Sequence, residues 1–460
     1  MMRPQGIHQW GPYMSTPLIR PDETDNLSNA PTGRAKISAA RFTSKDHMDQ
    51  EWEKIWPKTW LVAGVASDVA EPGDYFVFNI GLESILVSRT DEGELAAMYN
   101  VCQHRGARVL VNDIGTLDAF VCPYHGWTYD NGGKLIHAPE TNRFSQGVPC
   151  EELSLKRVRV ESLGAVIWVC MDDDVPPLSE FLGDIPEMIA PYRLDDMVLA
   201  VDQTVELDAN WKAVIDNFGE LYHVEHIHPQ HAMIFDCPGS TVELMQGGHN
   251  RVLIEGFTVN SQLPIPDGPP EIQHLQMQSV GLNPEDYKGR TLDVRLDMQK
   301  AKREMGPKLG YNYDLLSDEQ LSDIVQYNVF PNTIWAIQPE ELWVMRSRPH
   351  ESDPNKCYWD KFTFRMAPED TAKELANVSF SATDREVKPD NDDRIEHEHF
   401  TQDEVISGKY SMTITVDQDV HLIRDIQAGM HSRGFDACWL NDDEGRVQHF
   451  HDWIDYYIAQ

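Results

Sequence analysis

Long apolar runs are missing from this chain of 460 residues. The longest, Leu163 to Met171, is far too short to span a bilayer. Positive charge is scarce as well. Against 75 acidic residues stand 39 basic ones, a formal charge of -36, which argues against nucleic acid or an anionic membrane as partner. The seven cysteines are odd in number and lack a disulfide-like rhythm, so paired use of cysteine points to metal rather than to a disulfide framework. The first residues, MMRPQGIHQWGPYMSTPLIRPDETDN, have no basic start followed by an apolar core, unlike a signal peptide. A reduced, cytoplasmic setting is the expectation. What is present is ordinary: 41% hydrophobic and 25% charged residues, in a length that accommodates two domains.

Residues 1–42 are polar and dotted with proline, an arm. Met48, Trp52, Ile55 and Trp56 recur at helical spacing until Pro57 ends the pattern. From Trp60 the texture changes to short strands (LVAGVA, YFVFN, SILVS, ELAAMYN) with a hairpin at Tyr129 to Leu135 and a buried strand from Leu163. Acidic residues and prolines cluster between Asp172 and Tyr192, suggesting a boundary. Domains are therefore expected at 43–175 and 176–460. The second half reads as one large antiparallel sheet from VLAVDQTVEL, TVELMQ, RVLIEGFTV, NTIWAIQ, ELWVMRSR and CYWDKFTFR, with helices over Asn210 to His228, Ile395 to Ile406, Val416 to Met430 and Gly445 to Ile458. Asp323 to Val329 fits either class. The weakly patterned stretch 261–323 reads as a lid or a peripheral insertion. No internal repeat is visible.

Two short loops carry the first chemistry. Cys102-x-His104 is followed seventeen residues on by Cys122-x-x-His125. Zinc fingers pair cysteine with cysteine and histidine with histidine; here each loop supplies one of each. That suits a two-iron cluster with both cysteines on one iron and both histidines on the other. Two imidazoles in place of thiolates raise the reduction potential, making a one-electron relay with its histidine side near the surface. Cys150, Cys170, Cys237, Cys357 and Cys438 read as packing residues.

The second cluster lies in NWKAVIDNFGELYHVEHIH, Asn210 to His228, with Glu220, His223, His226 and His228. Glu220 and His223 share a helical face, being three apart. His223 and His228 are five apart, roughly 140° around a regular helix, so both reach one metal only if the helix is distorted or ends between them. Pro229 makes an ending reasonable. Two imidazoles and a carboxylate with open positions form the facial triad of non-haem iron oxygenases, and the third ligand must come from elsewhere.

At these residues the chain resembles the large (alpha) subunits of Rieske non-haem iron oxygenases, the aromatic-ring-hydroxylating dioxygenase family. The matching residues are Tyr99-Asn100-Val101-Cys102-Gln103-His104-Arg105-Gly106, Cys122-Pro123-Tyr124-His125-Gly126-Trp127, Asn210-Trp211-Lys212, and Asn217-Phe218-x-Glu220-x-Tyr222-His223-x4-His228-Pro229. The resemblance implies an α+β fold: a small antiparallel-β Rieske [2Fe-2S] domain, then a catalytic domain whose large antiparallel sheet is covered by helices in a helix-grip-like manner. It implies that Cys102, His104, Cys122 and His125 hold the cluster, that His223 and His228 bind a mononuclear Fe(II), and that His226 stands aside. Its third iron ligand is an aspartate shortly before a Gln-x-Gly; in VDQDVHLIRDIQAGM that is Asp419, with Asp417 its rival and Asp425 a poor fit. Many members carry aspartate where this chain has Glu220, and some with glutamate act on quaternary ammonium compounds. Glu220 is expected to link His223 to His125 across a subunit boundary.

The same resemblance implies a homotrimer, or an alpha3beta3 assembly with a small beta subunit. Electrons come from NAD(P)H indirectly, through a flavin reductase, a ferredoxin or both, with Arg105 and Arg108 offering positive charge to an acidic ferredoxin. Ring hydroxylation of an aromatic substrate is the expected reaction. Its rival is monooxygenation, including O- or N-demethylation or C–N cleavage. A Rieske electron-transfer protein without oxygen chemistry would need the first cluster only, and a zinc-stabilised binding module would carry no iron.

Overall fold

A computed structural model of the chain describes residues 36–311, 313–366 and 394–460. Most of the arm, residues 1–35, lies outside them. The arm's described end forms the short strand Ile37–Ser38, paired with Ala437–Cys438. The helix expected around Met48 and Trp52 is Lys45–Lys54, capped by Ser44, whose side chain accepts the His47 N–H.

Seven strands then form an antiparallel sheet in the order Leu61–Val65, Val166–Cys170, Arg157–Leu163, Leu95–Tyr99, Glu83–Arg89, Asp74–Ile80 and Ile114–Thr116. A smaller sheet, Phe120–Val121, Thr128–Tyr129 and Leu135–His137, contains the hairpin read from the YDNGGKL turn. Short helices Leu178–Phe181 and Ile185–Ile189 cover the acidic, proline-rich stretch.

The second sheet has eight strands in the order Thr241–Leu244, Asn250–Ile254, Ile324–Val329, Thr333–Ile337, Glu341–Pro349, Cys357–Met366, Met197–Leu207 and His397–Thr401. The ambiguous stretch at 323–329 is thus a strand. One expectation is overturned at the edge. Part of the segment expected to be helical, Ile395 to Ile406, is the strand His397–Thr401, lying parallel to Met197–Leu207. Its alternation explains this: His397 and His399 project to one side and meet Asp202 at 2.7 Å and Glu206 at 2.9 Å, cross-strand pairs that a helix would dismantle. The helix proper, Gln402–Ile406, starts at a capping box of Thr401 and Glu404. Among the described residues this is the one parallel pair of the sheet.

Residues 261–323 fold into short helices and the longer Val294–Met305. Met277, Tyr287, Val294 and Met298 form a small core there with Phe257.

The two sheets share a core. Val62 and Trp168 of the first, with Trp60 just ahead of Leu61–Val65, pack with Trp335, Val344 and Phe362 of the second. At the seam, Arg346 donates to the carbonyls of Val62 and Ala63, and Arg348 to that of Asn79. Both guanidiniums converge on the buried Asp360. Burial pushes the Asp360 carboxyl up, but Arg348 and Arg346 outweigh it and hold it well below the usual carboxylate range. On the opposite face of the second sheet lie three helices, Trp211–Asn217, Ile414–Met430 and Gly445–Ala459, and the site is built between them and the sheet.

Candidate metal centres

The two cysteine–histidine loops are built alike. Gly106 and Gly126 each follow their cysteine by four residues, take positive φ of 77° and 69°, and return an N–H to the cysteine carbonyl at 2.9 and 3.0 Å. A side chain at either position would be strained in that left-handed turn. Cys102 and Cys122 are buried, whereas His125 is exposed. The His104 and His125 rings are 4.6 Å apart, and His104 stacks on Trp127 at 4.9 Å. The Gln103 N–H donates to the Tyr129 hydroxyl, which also lies in hydrogen-bond contact with Cys102 Sγ at 3.3 Å. Burial pushes the Cys122 thiol up, and its neighbour Cys102 adds to this, while the N–H groups of Tyr124 and His125 oppose it. Burial, His125 and Arg105 together depress the His104 pKa, favouring a neutral imidazole. His104 Nδ1 is buried without a hydrogen-bond partner. A pair of buried thiols and an orphaned imidazole nitrogen fit a metal cluster.

The stretch Asn210 to His228 is broken where the helical spacing would have failed. Asn210 caps Trp211–Asn217 by accepting the Lys212 N–H at 3.1 Å. The chain then turns through Phe218 to Tyr222, makes one turn at Val224–Ile227, and restarts at Pro229–Ala232. His223 and His228 are the two ends of the single turn, and His228 has non-helical φ -117°, ψ 65°. The break relieves the 140° problem and faces both rings inward, centroids 5.2 Å apart. His226, between them, is exposed.

Asp419 reaches the same point from Ile414–Met430. Its Oδ1 lies 3.1 Å from His228 Nε2 and 3.8 Å from His223 Nε2, and these ligand atoms all fall within 4.8 Å of one another. Yet Asp419 Oδ1 is buried and accepts no hydrogen bond. Two imidazole nitrogens and a buried carboxylate oxygen converging in this way fit a divalent cation. Asp417 is spent locally, accepting from Ser411 Oγ and the Met412 N–H, and Asp425 is exposed. Gln427, two turns beyond Asp419, accepts the Asn210 N–H at 3.0 Å and donates to the Phe42 carbonyl. The glutamine of the Gln-x-Gly therefore sets the late helix against the start of the catalytic stretch.

Glu220 Oε1 meets His223 Nδ1 at 2.5 Å and Oε2 accepts the His223 N–H at 3.0 Å. Burial opposes protonation of His223, but Glu220 and then Asp419 outweigh it and raise its pKa. On His228, Nδ1 meets Gln418 Oε1 at 2.8 Å, an oxygen shared with Gln230 Nε2. Neither glutamine was singled out by the sequence; a long-range amide pair leaves no spacing signal.

Residues 194–460 match the family model for the ring hydroxylating alpha subunit (catalytic domain), and residues 59–159 match that for the Rieske [2Fe-2S] domain. The chain belongs to the ring-hydroxylating alpha-subunit family. As a Rieske alpha chain it carries a Rieske [2Fe-2S] cluster and a mononuclear iron. The large oxygenase component of a 2,4-dinitrotoluene dioxygenase system from Burkholderia sp. is 33% identical over 354 residues, 74% of each chain. The glycine betaine monooxygenase oxygenase subunit of Pseudomonas aeruginosa is 34% identical over 209 residues, 42% of this chain. The match covers 48% of that relative, about half its length. Among solved structures, a quaternary ammonium Rieske monooxygenase in complex with L-carnitine has a TM-score of 0.65 at 18% identity, covering 95% of this chain and 98% of that one. Naphthalene 1,2-dioxygenase from Rhodococcus sp. bound to indole has 0.63 at 19% identity, covering 95% and 96%. At such identities the likeness is one of fold, with sheets and helices arranged as expected from the Rieske resemblance.

Proposed function

We propose that this chain is the terminal oxygenase component of a system that uses O2 and electrons from an NAD(P)H-driven reductase or ferredoxin to hydroxylate an aromatic substrate. Cys102, His104, Cys122 and His125 would hold the cluster, and His223, His228 and Asp419 the iron; the first relays single electrons and the second activates O2. The observation that carries the reading is the convergence of the three donor atoms on a cavity of about 110 Å³. Phe218, Val224, Phe235, Ile254, Ile324 and Trp343 wall that cavity. Apolar walls of this kind exclude water and orient a flat apolar molecule beside the donor atoms. Glu220 holds the His223 Nδ1 proton, which leaves Nε2 free to donate its lone pair.

A second reading, oxidative cleavage of a methyl group or C–N bond in a quaternary ammonium compound, is favoured by Glu220 and by the glycine betaine and carnitine enzymes among the similar proteins. A cation in the cavity would be expected on Trp343 or beside Glu341. However, the Lys361 ammonium already lies 4.2 Å from the centre of the Trp343 ring, and Arg365 neutralises Glu341 at 2.8 Å. Those two contacts weigh toward the aromatic substrate.

Assembly of three copies, with or without a small beta subunit, is supported by the surroundings of Glu220. A groove of about 650 Å³ beside it is lined by the exposed Leu422, Ile426, Phe435 and Trp439, an apolar patch of the kind that marks an interface. The exposed His125 of a neighbouring copy would meet Glu220 there. Free thiols throughout the described residues agree with a cytoplasmic setting, and among those residues no helix is long and apolar enough to cross a membrane. Turnover with a matched reductase over arenes, aryl carboxylates, methoxyarenes and trimethylammonium compounds tests the reading. Diol or phenol from an arene is the expected product; aldehyde release from a methylammonium substrate alone would replace the aromatic reading with the second one.

A further inference from the structure

His223 and His228 present Nε2 to the same point but are held differently behind it. His223 Nδ1 is held by a carboxylate, Glu220. His228 Nδ1 is held by an amide, Gln418, and an amide can offer either its oxygen or its nitrogen. Gln418 Oε1 lies 2.8 Å from His228 Nδ1 and 2.8 Å from Gln230 Nε2, while Gln418 Nε2 donates back to Gln230 Oε1 at 3.4 Å. In this reciprocal pair Gln230 turns the oxygen of Gln418 toward the imidazole, so Nδ1 carries the proton. Turning Gln418 alone would set two donors face to face. Turning both amides would move the imidazole proton to Nε2, where it would face Asp419 Oδ1 at 3.1 Å and occupy the lone pair a metal needs.

We infer that Gln418, oriented by Gln230, is the positioning residue that fixes the tautomer and ring angle of His228 for metal binding. The inference rests on the reading of His228 as an iron ligand. Gln418 and Asp419 are consecutive in one helix. One residue therefore aims the imidazole from behind while the next joins it at the metal. Charge explains why an amide suits this place. Glu220 and Asp419 together already balance a divalent ion, and a third carboxylate behind His228 would leave an excess negative charge in a buried site.

The test uses protein stripped of its mononuclear metal with the Rieske cluster retained, titrated with Co²⁺ by calorimetry. Gln418→Leu is expected to weaken Co²⁺ binding by about 10–100-fold, the usual effect of losing the partner behind a metal-bound histidine, with an unchanged Rieske spectrum. Gln230→Leu should weaken it less, and the double variant should be no worse than Gln418→Leu, because Gln230 acts only through Gln418. Gln418→Glu accepts the Nδ1 proton whichever way it turns; its surplus charge costs stability rather than metal affinity, so it should bind Co²⁺ at least as tightly and make an added Gln230→Leu silent. That last pair decides the matter even if Gln418→Leu fails to fold. Wild-type affinity in Gln418→Leu, or an undiminished effect of Gln230→Leu on top of Gln418→Glu, overturns the inference. His228→Ala separates the two levels. Undiminished Co²⁺ binding there sinks the ligand assignment itself, whereas loss there with none in Gln418→Leu sinks only the role of Gln418.

Discussion

Lys212 is the residue through which the base of the catalytic stretch is most sharply tested. Its ammonium and the Glu51 carboxylate are both fully buried and lie 2.5 Å apart. Glu51 also accepts the Trp211 indole N–H at 2.9 Å and has His47 Nε2 at 3.3 Å. Burial pushes the Glu51 carboxyl up, but Lys212 and His47 outweigh it and hold it below its usual range; burial lowers the Lys212 pKa against the pull of Glu51, and the direct contact together with the indole donor on Glu51 favours the ionised pair. Lys212→Met keeps the stem but leaves a buried carboxylate with one indole and one imidazole. Breaking a buried pair from one side costs about 3–5 kcal/mol. With two polar partners still on Glu51, a loss near 3 kcal/mol is expected. Removing both charges in Glu51→Leu with Lys212→Met should cost about 1 kcal/mol or less, because apolar replacement of a whole pair is often neutral. The assay is the urea midpoint of the first unfolding transition followed by tryptophan fluorescence, in a double-mutant cycle. A single-variant loss below about 1 kcal/mol, or a double variant equal to the sum of the singles, refutes the argument. A loosened Lys212 should also lower iron occupancy, since Glu220 hangs from the far end of the same helix.

Three further outcomes are expected. His228→Ala should reduce the metal content from about three irons per chain to about two, abolish turnover and leave the Rieske absorption intact; retained turnover contradicts the ligand assignment. Glu220→Gln can still hold the His223 Nδ1 proton but loses the charge, so iron should be retained while transfer of electrons from the reduced cluster slows; stopped-flow reoxidation of the cluster reads this, and an unchanged rate removes Glu220 from the route. Asp360→Asn leaves Arg346 and Arg348 facing each other at the domain seam. Because the Asp360 pKa is lowered on folding, its contribution is fully present above the unfolded value of about 3.9 and fades as pH falls toward the folded one. The stability deficit of the variant in urea melts should therefore be constant from neutral pH to about 5 and shrink below about 4.

Legibility of this molecule from its sequence tracks the range over which each feature is determined. The cysteine–histidine loops were readable because cysteine, histidine, turn and closing glycine all lie within five residues, as in Cys102 to Gly106 and Cys122 to Gly126. Strands with several apolar residues were readable by alternation. The edge strand His397–Thr401 was not: its partners, Asp202 and Glu206, are far away in the chain, and a charged stretch before a capping box resembles a helix start. The Gln230–Gln418 pair is a similar case, 188 residues apart, and so is the Gln427–Asn210 bond, at 217. Such contacts exist only once the sheet has brought the helices together.

The five-residue spacing of His223 and His228 is where local and long-range determinants meet. A continuous helix would have pointed the imidazoles apart, and no glycine or proline interrupts Val224–Ile227. Two local features oppose it. Gly219 packs so tightly that an added Cβ would meet Val447 Cγ2 at 2.7 Å and the Asp216 carbonyl at 3.0 Å, and Pro229 cannot continue a hydrogen-bonded turn. They free a single turn to rotate, but they do not say where it stops. That is set by Glu220 of the same stretch behind one imidazole and, from the distant helix, by Gln418 behind the other and Asp419 between them. Eight residues separate Asp419 from Gln427, just over two helical turns, so both face the catalytic stretch. The bond from Gln427 to Asn210 then fixes the height of Asp419 relative to the histidines. A one-residue deletion in Ile414–Met430 between these two positions would rotate Asp419 by about 100° and take its carboxylate away from the two imidazoles while leaving the helix, the sheet and the cysteine–histidine loops intact.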